Sequence, residues 1–180
     1  MFKSFEFCLP TRATTVPDGP DWLHEVKYDG YRLRLERDGD RVRLITKGGY
    51  NWTSRYPWIV DAALKNRVKQ FVIDGEAVVL GVDGVADFNA LHSRRHDDEV
   101  QLYTFDILAL DGDDLRNLPL SLRKTNGCSH AGRTASSSRH SRPARSGLIS
   151  FAPPATWDSR ASACDALPWI RRERNTLSHR

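Results

Sequence analysis

The sequence predicts an α+β domain with largely antiparallel strands, and three observations carry that reading. Apolar and polar residues alternate with the two-residue period of half-buried strands between Tyr31 and Thr46, with turn residues in the middle. The apolar runs that follow are broken by Asp-Gly pairs, the chemistry of tight turns. The segments joining strand pairs are too short for the crossovers of about a dozen residues that parallel neighbours require. At 180 residues the chain has room for one domain with a proper core, or for one domain and a tail.

Taken in order, YRLRLER (Tyr31 to Arg37) and VRLIT (Val42 to Thr46) flank Asp38-Gly39-Asp40 and read as a hairpin. Ser54 followed by Arg55-Tyr56-Pro57 reads as the start of a helix, and Ile59, Ala62 and Ala63, with Val60, recur at helical spacing up to Lys65. A strand from Phe71 to Ile73 runs into Asp74-Gly75-Glu76, expected as a tight turn, and AVVLG forms a second strand before Asp83-Gly84. Asp87 to Arg95 reads as a short helix. Gln101 to Leu110 is the most apolar strand, Asp111-Gly112-Asp113 turns it, and Leu118 to Lys124 opens another helix. No internal repeat is visible.

Composition excludes several classes. No apolar run approaches the roughly 20 residues of a membrane span, and Lys3 and Glu6 interrupt the opening apolar patch, so neither a membrane partner nor a secretory signal is expected. Cys8, Cys128 and Cys164 are too widely spaced for a zinc pattern or a disulfide framework, which fits a cytoplasmic protein. The net charge of +4 would suggest an acidic partner if it belonged to the folded body. It does not: residues 1–125 hold 18 Lys and Arg against 20 Asp and Glu, and residues 126–180 hold 9 against 3. That tail contains no lysine, and 27 of its 55 residues are Arg, Ser or Ala, which marks a compositional boundary after Lys124.

Three clusters could carry chemistry. In Glu25-Val26-Lys27-Tyr28-Asp29-Gly30-Tyr31-Arg32, a strand lysine between apolar neighbours is favoured as a nucleophile by desolvation, and Arg32 supplies a cation suited to phosphate. An ordinary hairpin with a snorkelling lysine fits the same short string. Asp74-Gly75-Glu76 could hold a carboxylate for a ribose hydroxyl or a divalent cation, or be a plain turn. In Tyr103-Thr104-Phe105-Asp106, an aromatic ring could stack on a purine or pack in the core.

Together these strings restrict the options. KYDGYR, TKGGYNWTSRYP, VIDGEAV and LYTFDILALDG, in that order over roughly residues 9 to 126, resemble motifs I and Ia, the Asp-Gly-Glu element and motif III of the ATP-dependent DNA ligases. The likeness is greatest to the adenylation domain of the bacterial end-joining type. Lys47 stands where the family usually has arginine, which keeps the charge and loses the bidentate fork. The resemblance implies the N-terminal part of an ATP-grasp-like nucleotidyltransferase domain. It implies Lys27 as the nucleophile that takes AMP from ATP and passes it to the 5'-phosphate of a nick in broken double-stranded DNA. It further implies Asp29 and Glu76 as metal ligands for Mg²⁺, Arg32, Lys47 and Glu76 as contacts to phosphate or ribose, Phe105 as the ring stacked on adenine, and Glu25 near the base. An RNA ligase or capping nucleotidyltransferase shares the Lys-x-Asp-Gly chemistry, and a non-catalytic nucleic-acid binder gripping phosphate through the arginine-rich tail is a third reading.

The family continues with a Glu-Gly motif, a Lys-x-Lys motif and an OB-fold domain, none of which can be read after Asn126. Arg, Ser, Ala and Pro without Lys is what GC-rich coding DNA yields out of frame. Back-translation with a one-base shift lets Arg133 to Ser141 encode HGIFIAPF, and Ala144 to Ser162 encode EIGPDLFRAACDMGLEGI, both by the same shift. These strings resemble the family's next segment. The expectation is a partial adenylation domain over residues 1–126 and an out-of-frame, disordered tail over residues 127–180. Nick sealing is expected to be absent, and self-adenylation feeble or absent.

Overall fold

The computed structural model describes residues 4–9, 22–25, 27–130, 149–151 and 169–172; of 22–25, 126–130, 149–151 and 169–172 only the backbone is described. Disorder is expected over residues 127–180; within that range 127–130 continue a helix and 149–151 and 169–172 are strands, and the rest lies outside the described residues, as does Val26.

The described strands are β1 (Trp22–Glu25), β2 (Tyr31–Asp38), β3 (Arg41–Thr46), β4 (Gln70–Val78), β5 (Gln101–Leu110), β6 (Asp113–Asp114), β7 (Ile149–Phe151) and β8 (Trp169–Arg172). The helices are α1 (Pro57–Lys65), α2 (Phe88–Ser93) and α3 (Leu120–His130), with a 3₁₀ turn at Asp97–Glu99. The main sheet runs β3-β2-β4-β5-β6, antiparallel throughout, and β7 adds to β5 in parallel. A separate pair joins β1 to β8. The α+β class and antiparallel sheet expected from the sequence are what the chain adopts.

Alternation along the strands sorts the sheet into two faces. Leu33, Leu35, Leu44, Phe71, Ile73, Ala77, Leu102 and Ile107 form the main core with Ile59 and Ala63 of α1 and Leu91 of α2. The opposite face carries a small apolar cluster of Val72, Leu108, Ala109 and Phe5. There, too, lie the charged side chains Arg32, Arg34 and Asp74, crossed by the N-terminal segment. Arg34 donates to the Phe5 carbonyl, and its guanidinium lies over the Phe7 ring.

The β2–β3 hairpin forms as expected, turning at Gly39 with φ 61°. Helix α2 also forms, capped by the Asp87 carboxylate, which accepts from the Ala90 N–H at 2.9 Å. The turn after β5 places Asp111 and Gly112 at φ 49° and 92°, the geometry of a two-residue hairpin loop.

Three expectations are corrected. Asp74-Gly75-Glu76 is not a turn: β4 runs unbroken from Gln70 to Val78 as a central strand between β2 and β5. Gly75 is there for closeness, because a Cβ would sit 2.6 Å from the Tyr103 carbonyl oxygen. Lys27 is not on a strand; β1 ends at Glu25, and Lys27 to Asp29 form a loop that Gly30 bends into β2. Finally, α1 begins at Pro57 with Tyr56 as its cap residue and no side-chain cap, so Ser54 plays no part in starting it. The fixed φ of proline already suits the first helical turn.

Candidate active site

Gly30 brings the Lys27 loop hard against β4. A Cβ at Gly30 would lie 2.2 Å from the Ala77 carbonyl oxygen, so only glycine lets the loop approach so closely. Lys27 Nζ sits 3.4 Å from Asp29 Oδ1, with side chains 37% and 65% exposed. The lysine is therefore not enclosed by apolar neighbours, contrary to the desolvation argument from sequence. Tyr28 packs in a tilted pair against Tyr103 of β5 with ring centroids 4.5 Å apart, and burial raises both phenols above their ordinary value.

From Gly30 the chain enters β2, and Arg32 turns onto the charged face. Its Nε and Nη2 donate to the two carboxylate oxygens of Asp74 at 3.0 and 2.6 Å, and Nη1 donates to the Cys8 carbonyl at 2.7 Å. The Phe7 and Phe105 ring centroids each lie 5.3 Å from the guanidinium carbon. This is a bidentate ion pair out of water, with side-chain exposures of 7% and 1%. Contact with phosphate or ribose is expected of Arg32; in this structure its guanidinium binds Asp74 and ties the N-terminal segment to the site.

Glu76 stands directly across from Arg32 on β4 and from Tyr103 on β5. Burial pushes its carboxyl up to about 7, against the pull of Arg32 and, more weakly, Lys27; Asp74 and Asp29 push it further up. These opposing influences place Lys27, Asp29, Arg32, Asp74 and Glu76 in one electrostatic neighbourhood. Lys47 is exposed in the turn after β3, and its N–H donates to the Arg32 carbonyl at 3.1 Å, putting it at the register position opposite Arg32.

Phe105 reaches this face through a bulge. The β4–β5 register skips Phe105 and Leu108, so β5 carries an extra residue at each place. Such insertions re-aim side chains. Helix α3 braces the same strand: Arg123 pairs with buried Asp106 through Nε at 2.9 Å, and Lys124 Nζ donates to the Phe105 carbonyl at 2.9 Å. Glu25 is the last residue of β1, and the site is described from Lys27 onward.

The structure thus gathers Lys27, Asp29, Arg32, Glu76 and Phe105, with Lys47 at the margin. Sequence reasoning missed Asp74, Tyr28 and Tyr103. Asp74 and Glu76 lie two apart, the spacing that puts both on one strand face, and that signal was masked by reading Asp-Gly as a turn.

Residues 10–126 match the family model described as the ATP dependent DNA ligase domain. The multifunctional non-homologous end joining DNA repair protein LigD of Mycobacterium tuberculosis is 42% identical over 116 residues, covering 61% of this chain and 15% of that protein. The LigD protein of Pseudomonas aeruginosa is 34% identical over 124 residues, covering 66% of this chain and 15% of its own length. Among solved structures, a mycobacterial DNA ligase D complexed with ATP and MES superposes with a TM-score of 0.59 at 33% identity, covering 67% of this chain and 40% of that one. The ligase domain of M. tuberculosis LigD gives 0.54 at 34% identity, covering 60% and 36%. The chain therefore spans about 15% of the length of these LigD relatives. With its motifs matched in order and its sheet superposing on solved ligase domains, the chain belongs to the ATP-dependent DNA ligase domain family and carries an adenylation domain of the end-joining type.

Proposed function

We propose that residues 1–126 are the nucleotide-accepting part of an ATP-dependent DNA ligase acting on nicked or broken double-stranded DNA in repair and recombination, within the cytoplasm. The observation that carries this reading is the convergence of Lys27, Asp29, Arg32, Asp74 and Glu76 on one end and face of a single sheet. Among the described residues no helix is long and apolar enough to cross a membrane.

The chemistry follows from the residues. Lys27 Nζ, having lost its proton, attacks the α-phosphorus of ATP; a P–N bond forms and the bond to the pyrophosphate oxygen breaks. AMP passes from there to the 5'-phosphate of the nick, where the 3'-hydroxyl displaces it. Asp29, 3.4 Å from Nζ, orients the amine. The Arg32–Asp74 pair fixes the strands that carry Glu76. Phe105 offers an aromatic face to the base, and Lys47 offers a cation to phosphate oxygens.

The donor set fits Mg²⁺ in a particular way. Among the described residues no group of three or more His, Cys, Asp or Glu could hold a metal by protein alone. Asp29 and Glu76 supply two carboxylates, which suits an ion that binds through one or two carboxylates and substrate phosphates. Bound there, it would neutralise phosphate charge.

We also propose that residues 127–180 are read out of frame, so that the chain as it stands does not seal nicks and self-adenylates feebly or not at all. The family match ending at Asn126 and the absence of lysine beyond it support this. Resequencing the gene around the Asn126 codon tests the frame; an interrupted or unrelated shifted frame sinks it. A chain with the frame restored, incubated with α-labelled ATP and Mg²⁺, is expected to carry label on Lys27 and to lose it on Lys27→Ala. Absence of label in the restored chain overturns the ligase reading.

A further inference from the structure

Helix α2 closes where the backbone resists a long side chain. Its C-cap, Arg94, has φ 60° and ψ 5°, the left-handed region that usually falls to glycine or asparagine. The backbone there is held by the Arg94 N–H donating to the Leu91 carbonyl at 3.4 Å and the Arg95 N–H donating to Ser93 Oγ at 3.2 Å, but the side chains take no part. Neither the Arg94 nor the Arg95 guanidinium makes a hydrogen bond or ion pair among the described residues, and both side chains are exposed.

The segment holding them is nevertheless fixed on both sides. Before it, Tyr31 Oη and His92 Nδ1 lie 2.7 Å apart, and the His92 ring stacks on Phe88. Tyr31 is four residues from Lys27, so this pin joins α2 to the reactive loop. After it, Arg55 donates from Nε and Nη2 to the two oxygens of Asp97 at 2.9 Å each, with its guanidinium 4.3 Å from the Trp52 ring centroid. The acidic neighbours are largely engaged: Asp97 by Arg55 and Glu99 by His96 at 3.0 Å, which leaves Asp98. Two guanidinium groups on a pinned, strained corner, joined through His92 and Tyr31 to the strand that follows the lysine loop, suit a row of phosphodiester oxygens, which arginine grips through paired donors.

We propose that Arg94 and Arg95 form a contact for the sugar–phosphate backbone of duplex DNA, positioning it against the Lys27 end of the sheet. The proposal rests on the ligase reading and adds to it the surface that meets the substrate.

The test uses the full chain and a nicked duplex, with binding followed by fluorescence anisotropy over a salt series. Arg94→Gly with Arg95→Ala is compared with the parent and with Lys65→Ala/Arg67→Ala, an equal loss of charge at the end of α1. Losing two phosphate contacts is expected to make the slope of log affinity against log salt shallower by about 1.8, with the control slope unchanged. Arg94→Gly alone is expected to hold or raise the melting temperature, since glycine accepts the left-handed backbone, so weaker binding cannot come from unfolding. A double variant whose affinity and salt slope match those of the parent, or a control that loses as much, overturns the proposal. Because binding is read without turnover, this outcome is separate from whether Lys27 becomes adenylated.

Discussion

Arg32→Met removes a guanidinium and keeps most of the apolar stem, and its consequence can be worked from the geometry. It takes from Asp74, 1% exposed, its bidentate partner, and it frees the Cys8 carbonyl. Removing one member of a buried pair costs about 3–5 kcal/mol, mostly the penalty of stranding the other charge. Domains of this size hold about 5–15 kcal/mol in total, so the midpoint of urea unfolding, followed by tryptophan fluorescence, should fall steeply. The double variant Arg32→Met/Asp74→Leu removes both charges of the pair and should recover most of the loss. The pair also bears on Glu76, because Arg32 is the main influence holding that carboxyl down; without it, the proton should be held to still higher pH. A loss below about 1 kcal/mol, or a double variant as unstable as the two single losses added, would refute the view that this pair is dry and coupled.

Three further outcomes follow from other contacts. Glu76 holds its proton in the fold to about pH 7 and releases it near 4.5 when unfolded, so its contribution falls as pH rises through that window, by on the order of 3 kcal/mol; Glu76→Gln should flatten this part of the stability profile, and parallel profiles for parent and variant count against it. Gly30→Ala should cost about 1–3 kcal/mol by driving a Cβ into the Ala77 carbonyl, whereas Gly39→Ala, strained at φ 61° but with open space around it, should cost about 1 kcal/mol; equal melting temperatures for the two variants would contradict the close approach. Arg37, 3% exposed, donates to the carbonyls of Gly39, Ala63, Asn66 and Val68 and so closes the end of α1 against β2; Arg37→Met should lower unfolding stability by roughly 1.5–3 kcal/mol, measured in urea.

What could be read before the structure divides along physical lines. The β2–β3 hairpin was legible because period-two alternation and the Asp38-Gly39-Asp40 turn are local signals. Helix α2 was legible through its Asp87 cap. The Asp74-Gly75-Glu76 segment was misread because Asp-Gly carries two meanings. In a turn the glycine supplies a positive φ; at Gly75 it admits the Tyr103 carbonyl, a neighbour on another strand that no local window contains. The bulge that aims Phe105 is equally invisible, since it exists only as a mismatch between β4 and β5. The environment of Lys27 was misjudged for a related reason. Flanking apolar residues promise burial only within a strand, and Gly30 ends the loop before one begins.

The edge of β5 shows what the proposed loss of frame would do to the fold. One side of β5 pairs with β4 along its length except at the bulges of Phe105 and Leu108; on the other, β6 covers only Ala109 and Leu110, and β7 covers Leu102 to Thr104. Among the described residues no strand pairs with Phe105 to Leu108 on that side, although the Leu108 carbonyl accepts from the Leu115 N–H and the Phe105 carbonyl from Lys124. An apolar strand with an open edge invites pairing with another chain. In the shifted frame the codons of Arg133 to Ser141 allow HGIFIAPF, whose apolar run has the β-branched and aromatic character of a strand. The chain as it stands should therefore self-associate with rising concentration, and the frame-restored chain should elute as a monomer in size-exclusion chromatography. A lysine set into the open stretch by Leu108→Lys would disturb the Val72 cluster as well as the edge, so the comparison of the two chains is the cleaner test. A present chain that stays monomeric at high concentration would mean that this edge is already covered and that loss of frame exposes no strand.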